Sequence, residues 1–246
     1  MTEANGATGP QVRTDALRRV FGEGEAAVVA LADVDVAFRP GELTAIVGPS
    51  GSGKSTLMHL CAGLDRPTAG SVWVGDMELG SLPDKQLTQL RRDRLGFVFQ
   101  FFNLVPVLTA EENIRLPLTI AGRDVDEDRF RALVQRVDIA DRLDHRPAEL
   151  SGGQQQRVAV ARAMLSQPDV VFADEPTGNL DTKSGVQVMD MLRSAVDDDH
   201  QTVVVVTHDP RVASYADRVL VLRDGKIVTD AKPGTTDEVL ELMKEL

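Results

Sequence analysis

The chain has 246 residues, 42% of them apolar, which is enough core for one large domain or two modest ones. Its 27 basic and 38 acidic residues leave a net charge of −11, the wrong sign for a nucleic-acid partner, and none is expected. The single cysteine, Cys61, rules out an intramolecular disulfide and a cysteine-based zinc site, and no apolar stretch approaches the roughly 18 to 20 residues needed to span a bilayer.

The polar first fifteen residues lack the apolar segment of a secretory signal, and residues 1–11 are expected to form a disordered extension. Val28 to Phe38 is a strand candidate. Leu43 to Val47 lacks alternation and is rich in β-branched residues, as in a strand buried on both faces of a parallel sheet. It runs into Gly48-Pro49-Ser50-Gly51-Ser52-Gly53-Lys54-Ser55-Thr56, which fits G-x-x-x-x-G-K-[ST]. Glycines there let successive N–H groups turn toward phosphate oxygens. Lys54 would neutralise the β and γ phosphates, and the Ser55 hydroxyl would ligate Mg²⁺. A helix starting near Ser55 would add its positive end, with Leu57, Leu60, Cys61 and Leu64 on one face and the thiol buried. This loop alone leaves the class open among kinases, GTPases and motor ATPases.

Ser71 to Val74 is another strand candidate. From about Asn103 to Leu165 the strand signals give way to helical spacing (Phe130, Leu133, Val134, Val137), which predicts a helical insert over about 101–165. Within it, Ser151 is a good N-cap for a helix from Gly152 to Leu165, and the Gly152-Gly153 pair allows close approach to an anion. Val170 to Ala173 reads as a buried strand ending in Asp174-Glu175, and Thr202 to Val206 as one ending in Thr207-His208-Asp209. Ligands in open α/β sheets sit at the carboxyl ends of strands, so three such ends predict one shared site. Val219 to Leu222 and Lys226 to Val228 flank the hairpin signal Asp224-Gly225. Residues 231–246 are expected to be a helical tail, amphipathic through Val239, Leu240, Leu242, Met243 and Leu246.

Leu150-Ser151-Gly152-Gly153-Gln154-Gln155-Gln156-Arg157 resembles the LSGGQ signature of ABC ATPases, and the other motifs agree with that family in order and spacing. The resemblance implies an α/β fold over 12–230: a P-loop NTPase core with a mixed, largely parallel sheet, an antiparallel β subdomain and the helical insert. It implies ATP and Mg²⁺ as ligands, and a homodimer that encloses two ATP molecules. Each copy's Ser151, Gly152, Gly153 and Gln154 would close on the γ-phosphate held by the other's phosphate loop. Asp174 would hold Mg²⁺ opposite Ser55, and Glu175 would polarise the attacking water. Gln100 looks like the glutamine that senses Mg²⁺ and water. Gly178-Asn179-Leu180-Asp181 resembles the loop that crosses the dimer seam, and His208 the histidine that contacts the γ-phosphate. Phe21 either stacks on adenine or is a simple core phenylalanine.

Phe99 to Pro106 and Asp174 to Asp181 look most like the MacB/LolD/FtsE group, whose ATPases pair with a permease of the FtsX type. That resemblance implies ATP hydrolysis coupled to transport or transmembrane motion, from the cytoplasmic face of a membrane, by a subunit soluble in isolation. The apolar run Phe101, Phe102, Leu104, Val105, Val107 and Leu108 either docks such a partner or packs inside the insert. A soluble ABC ATPase acting on nucleic acid or the ribosome is the alternative. It would call for long coiled-coil insertions or two cassettes in one chain, and neither is present.

Overall fold

The computed structural model describes residues 9–244. The chain begins with an antiparallel pair, β1 (Val12–Phe21) and β2 (Val28–Phe38), followed by β3 (Leu43–Val47) and α1 (Lys54–Cys61). Next come β4 (Ala69–Val74), β5 (Met77–Glu78), α2 (Asp84–Arg94) and β6 (Leu95–Phe99). Three helices form the insert: α3 (Ala110–Ala121), α4 (Glu127–Arg136) and α5 (Gly152–Leu165). The remainder runs β7 (Val170–Asp174), α6 (Thr182–Asp199), β8 (Thr202–Val206), α7 (Pro210–Ala213), the hairpin of β9 (Arg218–Arg223) and β10 (Lys226–Ala231), and α8 (Thr236–Lys244).

The main sheet has the order β10-β9-β3-β8-β7-β6, all parallel except β10, which the Asp224-Gly225 turn folds back on β9. Both turn residues have positive φ (49° and 73°), as a two-residue hairpin turn of this hand requires. A second, antiparallel sheet runs β2-β1-β4-β5. The valine-rich strands alternate although both faces are buried. Leu43, Ala45, Val47, Val171, Ala173, Val203 and Val205 pack toward the insert and α6. Ile46, Val170, Phe172, Val204 and Val206 pack toward α1 and the antiparallel sheet. Burial on both sides explains why these strands read as continuous apolar runs.

Caps fix the helices of the insert. Thr109 and Glu112 form a capping box at the start of α3, Gly122 ends that helix at φ 64°, and the Asp126 carboxylate caps α4. In α8, Val239 is fully buried and Leu242 and Met243 pack on the core; Leu246 lies outside the described residues.

The structure adds β1, β5, α2, β6, α6 and α7 to the expected elements. Strand β1 escapes a pattern search because its register with β2 shifts three times and Ala16 sits at φ 43°, which breaks the alternation. Gln11, expected in the extension, belongs to this sheet's edge: its N–H donates to Phe38 O and its carbonyl accepts from Gly75 N, both at 2.9 Å. Residues 1–8 of that extension lie outside the described residues. Leu64 follows the end of α1 and is exposed, so only Leu57, Leu60 and Cys61 of the expected face are buried. Burial pushes the Cys61 thiol up to about 12, so it is an inert core group. Among the described residues no helix is long and apolar enough to cross a membrane.

Candidate functional site

The loop from Gly48 to Gly53 leaves the carboxyl end of β3, with β8 and β9 on either side. On the same sheet edge, Asp174 pairs in register with Phe99 of β6 and Val206 of β8. Gln100, Asp174-Glu175 and Thr207-His208 therefore emerge side by side, as the strand ends predict.

Steric constraints explain the loop's glycines. A Cβ at Gly48 would lie 2.1 Å from Leu222 O, and one at Gly53, where φ is 104°, would lie 2.4 Å from Ala30 O. Lys54 Nζ donates to Gly48 O and Pro49 O, both at 2.9 Å. Burial lowers its pKa, while the Glu175 and Asp174 carboxylates oppose the shift. Ser52 is buried, and its Oγ has no hydrogen-bond partner among the described residues. Pro49, Ser50, Gly51 and Ser55 stay exposed at the lip, with Thr56 half-buried behind them. A buried ammonium and an unpaired hydroxyl inside an open, glycine-shaped turn suit a polyphosphate.

Two hard oxygen donors face each other beside the loop, where Ser55 Oγ donates to Asp174 Oδ1 at 3.3 Å. Burial raises the Asp174 pKa, countered mainly by His59 and by the Ser55 hydrogen bond. A carboxylate and a hydroxyl at this spacing fit a small divalent cation such as Mg²⁺.

Glu175 sits at φ 45°, uncommon for a residue with a side chain. Several contacts impose that conformation. Its N–H donates to Val206 O at 2.9 Å, and its carbonyl accepts from Gly178 N at 3.0 Å. Thr207 Oγ1 donates to Glu175 Oε2 at 3.2 Å, and His208 Nδ1 lies 2.6 Å from Oε1. A carboxylate can only accept, so the Nδ1–H tautomer of His208 is the one this contact selects. Gln100 turns toward the Gly178–Asp181 loop instead. Its Nε2 donates to Asn179 Oδ1 at 3.2 Å, and Asn179 Nδ2 donates back to Gln100 O at 3.0 Å.

Ser151 to Gln154 stands apart from these groups. Ser151 N donates to Gln154 Oε1 at 2.8 Å and Ser151 Oγ accepts from Gln154 N at 3.3 Å, a capping box that opens α5. The neighbours of Gly152 are Phe102, Leu180 and Asn179, and that of Gly153 is Ser184. Asp181 lies on this side as well, where its carboxylate caps α6 through Lys183 N, Ser184 N and Ser184 Oγ. Those bonds to Ser184 hold the Asp181 pKa below the usual carboxylate value.

Phe21 is at the end of β1, 43% exposed, with the Arg19 guanidinium 4.5 Å from its ring centre, so it is not a core phenylalanine. The apolar run after Gln100 divides. Phe101 and Val107 are exposed, whereas Phe102, Leu104, Val105 and Leu108 are half-buried. Arg162 of α5 holds the run in place by donating to Phe102 O and Asn103 O, both residues having positive φ. A groove of about 420 Å³ opens beside it, lined by Phe97, Phe99, Leu116, Pro117, Ile120 and Arg162 among others.

The family model described as ABC transporter matches residues 31–178. The chain is 49% identical over 224 residues to the macrolide export ATP-binding/permease protein MacB of Rhodopseudomonas palustris. That alignment covers 90% of this chain but 34% of the relative, so the chain spans about a third of the MacB proteins' length. It is 44% identical to the ABC transporter ATP-binding protein MJ0796 of Methanocaldococcus jannaschii, covering 87% of this chain and 94% of that one. A solved dimeric post-hydrolysis state of MJ0796, bound to ADP and Pi, superposes with a TM-score of 0.82 at 41% identity, covering 90% and 98% of the two chains.

Proposed function

Since the chain belongs to the ABC transporter family, we propose that two copies enclose two ATP molecules, hydrolyse them, and drive a membrane permease of the FtsX/MacB type. One observation carries this reading. The chain holds a phosphate loop with its carboxylates and histidine on one sheet edge, and a second anion-receptive helix start, Ser151 to Gln154, that shares no hydrogen bond with it. A head-to-tail pair satisfies both faces at once.

In the pair, Lys54 leaves its hold on Gly48 O and Pro49 O and meets the β and γ phosphates. Ser55 and Asp174 would hold Mg²⁺, which when bound supplies neutralisation of the phosphate charge. Glu175 orients and polarises the attacking water. His208, now bonded to Glu175, moves to the γ-phosphate and leaves the carboxylate free to take the water's proton. Gln100, once released from Asn179, would help Ser55 and Asp174 hold Mg²⁺ and would orient the water. The partner copy's Ser151, Gly152, Gly153 and Gln154 close over the γ-phosphate with the α5 N-terminus. Phe21 gives adenine a flat apolar face, the other face of its ring being covered by Arg19.

The groove between β6, α3 and α5 supports the permease assignment, since Ile120 and the neighbouring Phe101 leave apolar surface at the junction of sheet and insert. A cytoplasmic helical segment of the permease is the occupant this shape suits. The relative's name pairs ATP-binding with permease in one protein.

Glu175→Gln tests the core of this reading. The variant is expected to keep ATP affinity, lose hydrolysis by about 100-fold or more, and accumulate an ATP-bound dimer on size exclusion. Undiminished hydrolysis, or a strictly monomeric ATP-saturated variant, overturns it.

A further inference from the structure

Helix α5 carries a glutamine that the roles above do not use. Gln156, in the second turn of α5, is 0% exposed, although an amide side chain usually reaches water. Its Nε2 donates to Pro176 O at 2.5 Å, while its Oε1 has no hydrogen-bond partner among the described residues. Only the NH₂ end can bond a carbonyl, so the amide's orientation is fixed by this contact. Leaving the acceptor end unpaired costs about 1–3 kcal/mol, so packing alone does not explain a buried amide here.

The acceptor's position gives the contact its meaning. Pro176 directly follows Glu175, whose backbone is held at φ 45°. Val206 O and Gly178 N fix the Glu175 peptide groups, and Thr207 and His208 fix its carboxylate. Gln156 fixes the next carbonyl along, and does so from the helix that opens with Ser151 to Gln154.

We infer that Gln156 is a positioning residue that couples the seating of α5 on the partner copy's nucleotide to the orientation of Glu175 in its own chain. The inference rests on the head-to-tail reading above and deepens it. When α5 shifts on closing over the partner's phosphate, Gln156 carries the shift to Pro176 and hence to the Glu175 carboxylate. Each site's base is thereby set by the occupancy of the other site. Displacements near 1 Å at a reacting group can cost on the order of 100-fold in rate. A single hydrogen bond at this point therefore matters more for turnover than for stability.

Gln156→Met removes the donor at nearly the same length and volume. In the full chain it is expected to lower kcat for ATP hydrolysis about 10- to 100-fold and to leave KM for ATP unchanged. Combined with Glu175→Gln, it should leave the ATP-dependent dimer on size exclusion as abundant as in Glu175→Gln alone. Gln156→Asn, which keeps an amide too short to reach Pro176 O, should behave the same way and serves if the Met variant fails to fold. Unchanged kcat in the folded variant overturns the inference. So does a kcat that falls only in step with dimer assembly, since that is the mark of a purely structural role. Failure of the head-to-tail reading looks different: Glu175→Gln saturated with ATP would stay monomeric, whatever Gln156 does.

Discussion

The two loops proposed to meet phosphate are built differently. Gly48 to Thr56 is embedded: β3 feeds it from the middle of the sheet, carbonyls of Leu222 and Ala30 press on its glycines, and Lys54 is buried under it. Ser151 to Gln154 is a capped helix start on the flank: a Cβ added at Gly152 would reach Phe102, Leu180 and Asn179 only at 3.6–3.8 Å, and one at Gly153 would meet a single side chain, Ser184, at 2.7 Å. The first loop is shaped by its own protomer. The proposed pairing gives the second loop to the partner copy's nucleotide.

Removing space from the embedded loop tests the first half of that contrast. Gly48→Ala would place a methyl group 2.1 Å from Leu222 O, in a conformation that disfavours side chains. A loss of about 3 kcal/mol or more is expected in denaturant unfolding of the protomer, with or without nucleotide. A loss under about 1 kcal/mol would mean the loop yields more easily than its packing implies.

Lys54→Ala comes next in size. It removes a charge-assisted contact worth about 1.5–3 kcal/mol, so ATP affinity of the monomer should fall about 10- to 100-fold. Equilibrium binding of a fluorescent ATP analogue measures this. Undiminished affinity would remove the phosphate loop from the site.

Much of this contrast was legible in the sequence, because both loops are local. Gly48 to Thr56 and Leu150 to Arg157 each carry their chemistry within nine residues or fewer, and the strand runs before Glu175 and His208 are contiguous. What the sequence left hidden joins distant residues. Gln100 and Asn179 are 79 residues apart, Thr207 and Glu175 are 32 apart, and Gln156 meets Pro176 across 20. The sheet register that sets β6, β7 and β8 side by side brings the first two pairs together, and the packing of α5 on the sheet brings the third. Strand β1 stayed hidden for another reason, since its bulge at Ala16 spoils the alternation that marks a strand.

Ser151→Arg separates the two loops functionally. Loss of the N-cap should cost about 1 kcal/mol of stability. Monomer ATP affinity should stay as it is, because none of the Ser151 hydrogen bonds reaches the phosphate loop. Hydrolysis should nevertheless collapse, since a bulky cation would stand where the partner's nucleotide must seat. Loss of monomer binding would show that the two loops serve one nucleotide in one protomer.

The smallest structural change gives the finest discrimination. Gly152 is the first residue of α5, its φ is not positive, and a Cβ there would stand 3.6 Å from Phe102 and 3.7 Å from Leu180. Alanine in a helix loses less backbone entropy on folding than glycine, so Gly152→Ala should leave the protomer's stability unchanged or raise it by at most about 1 kcal/mol. In the proposed pair the same methyl group would project toward the partner's γ-phosphate. Hydrolysis and ATP-dependent dimerisation should therefore both weaken while the melting temperature holds. Were the variant instead markedly destabilised, this glycine would serve its own fold, as Gly48 does, and the distinction between the two loops would fail.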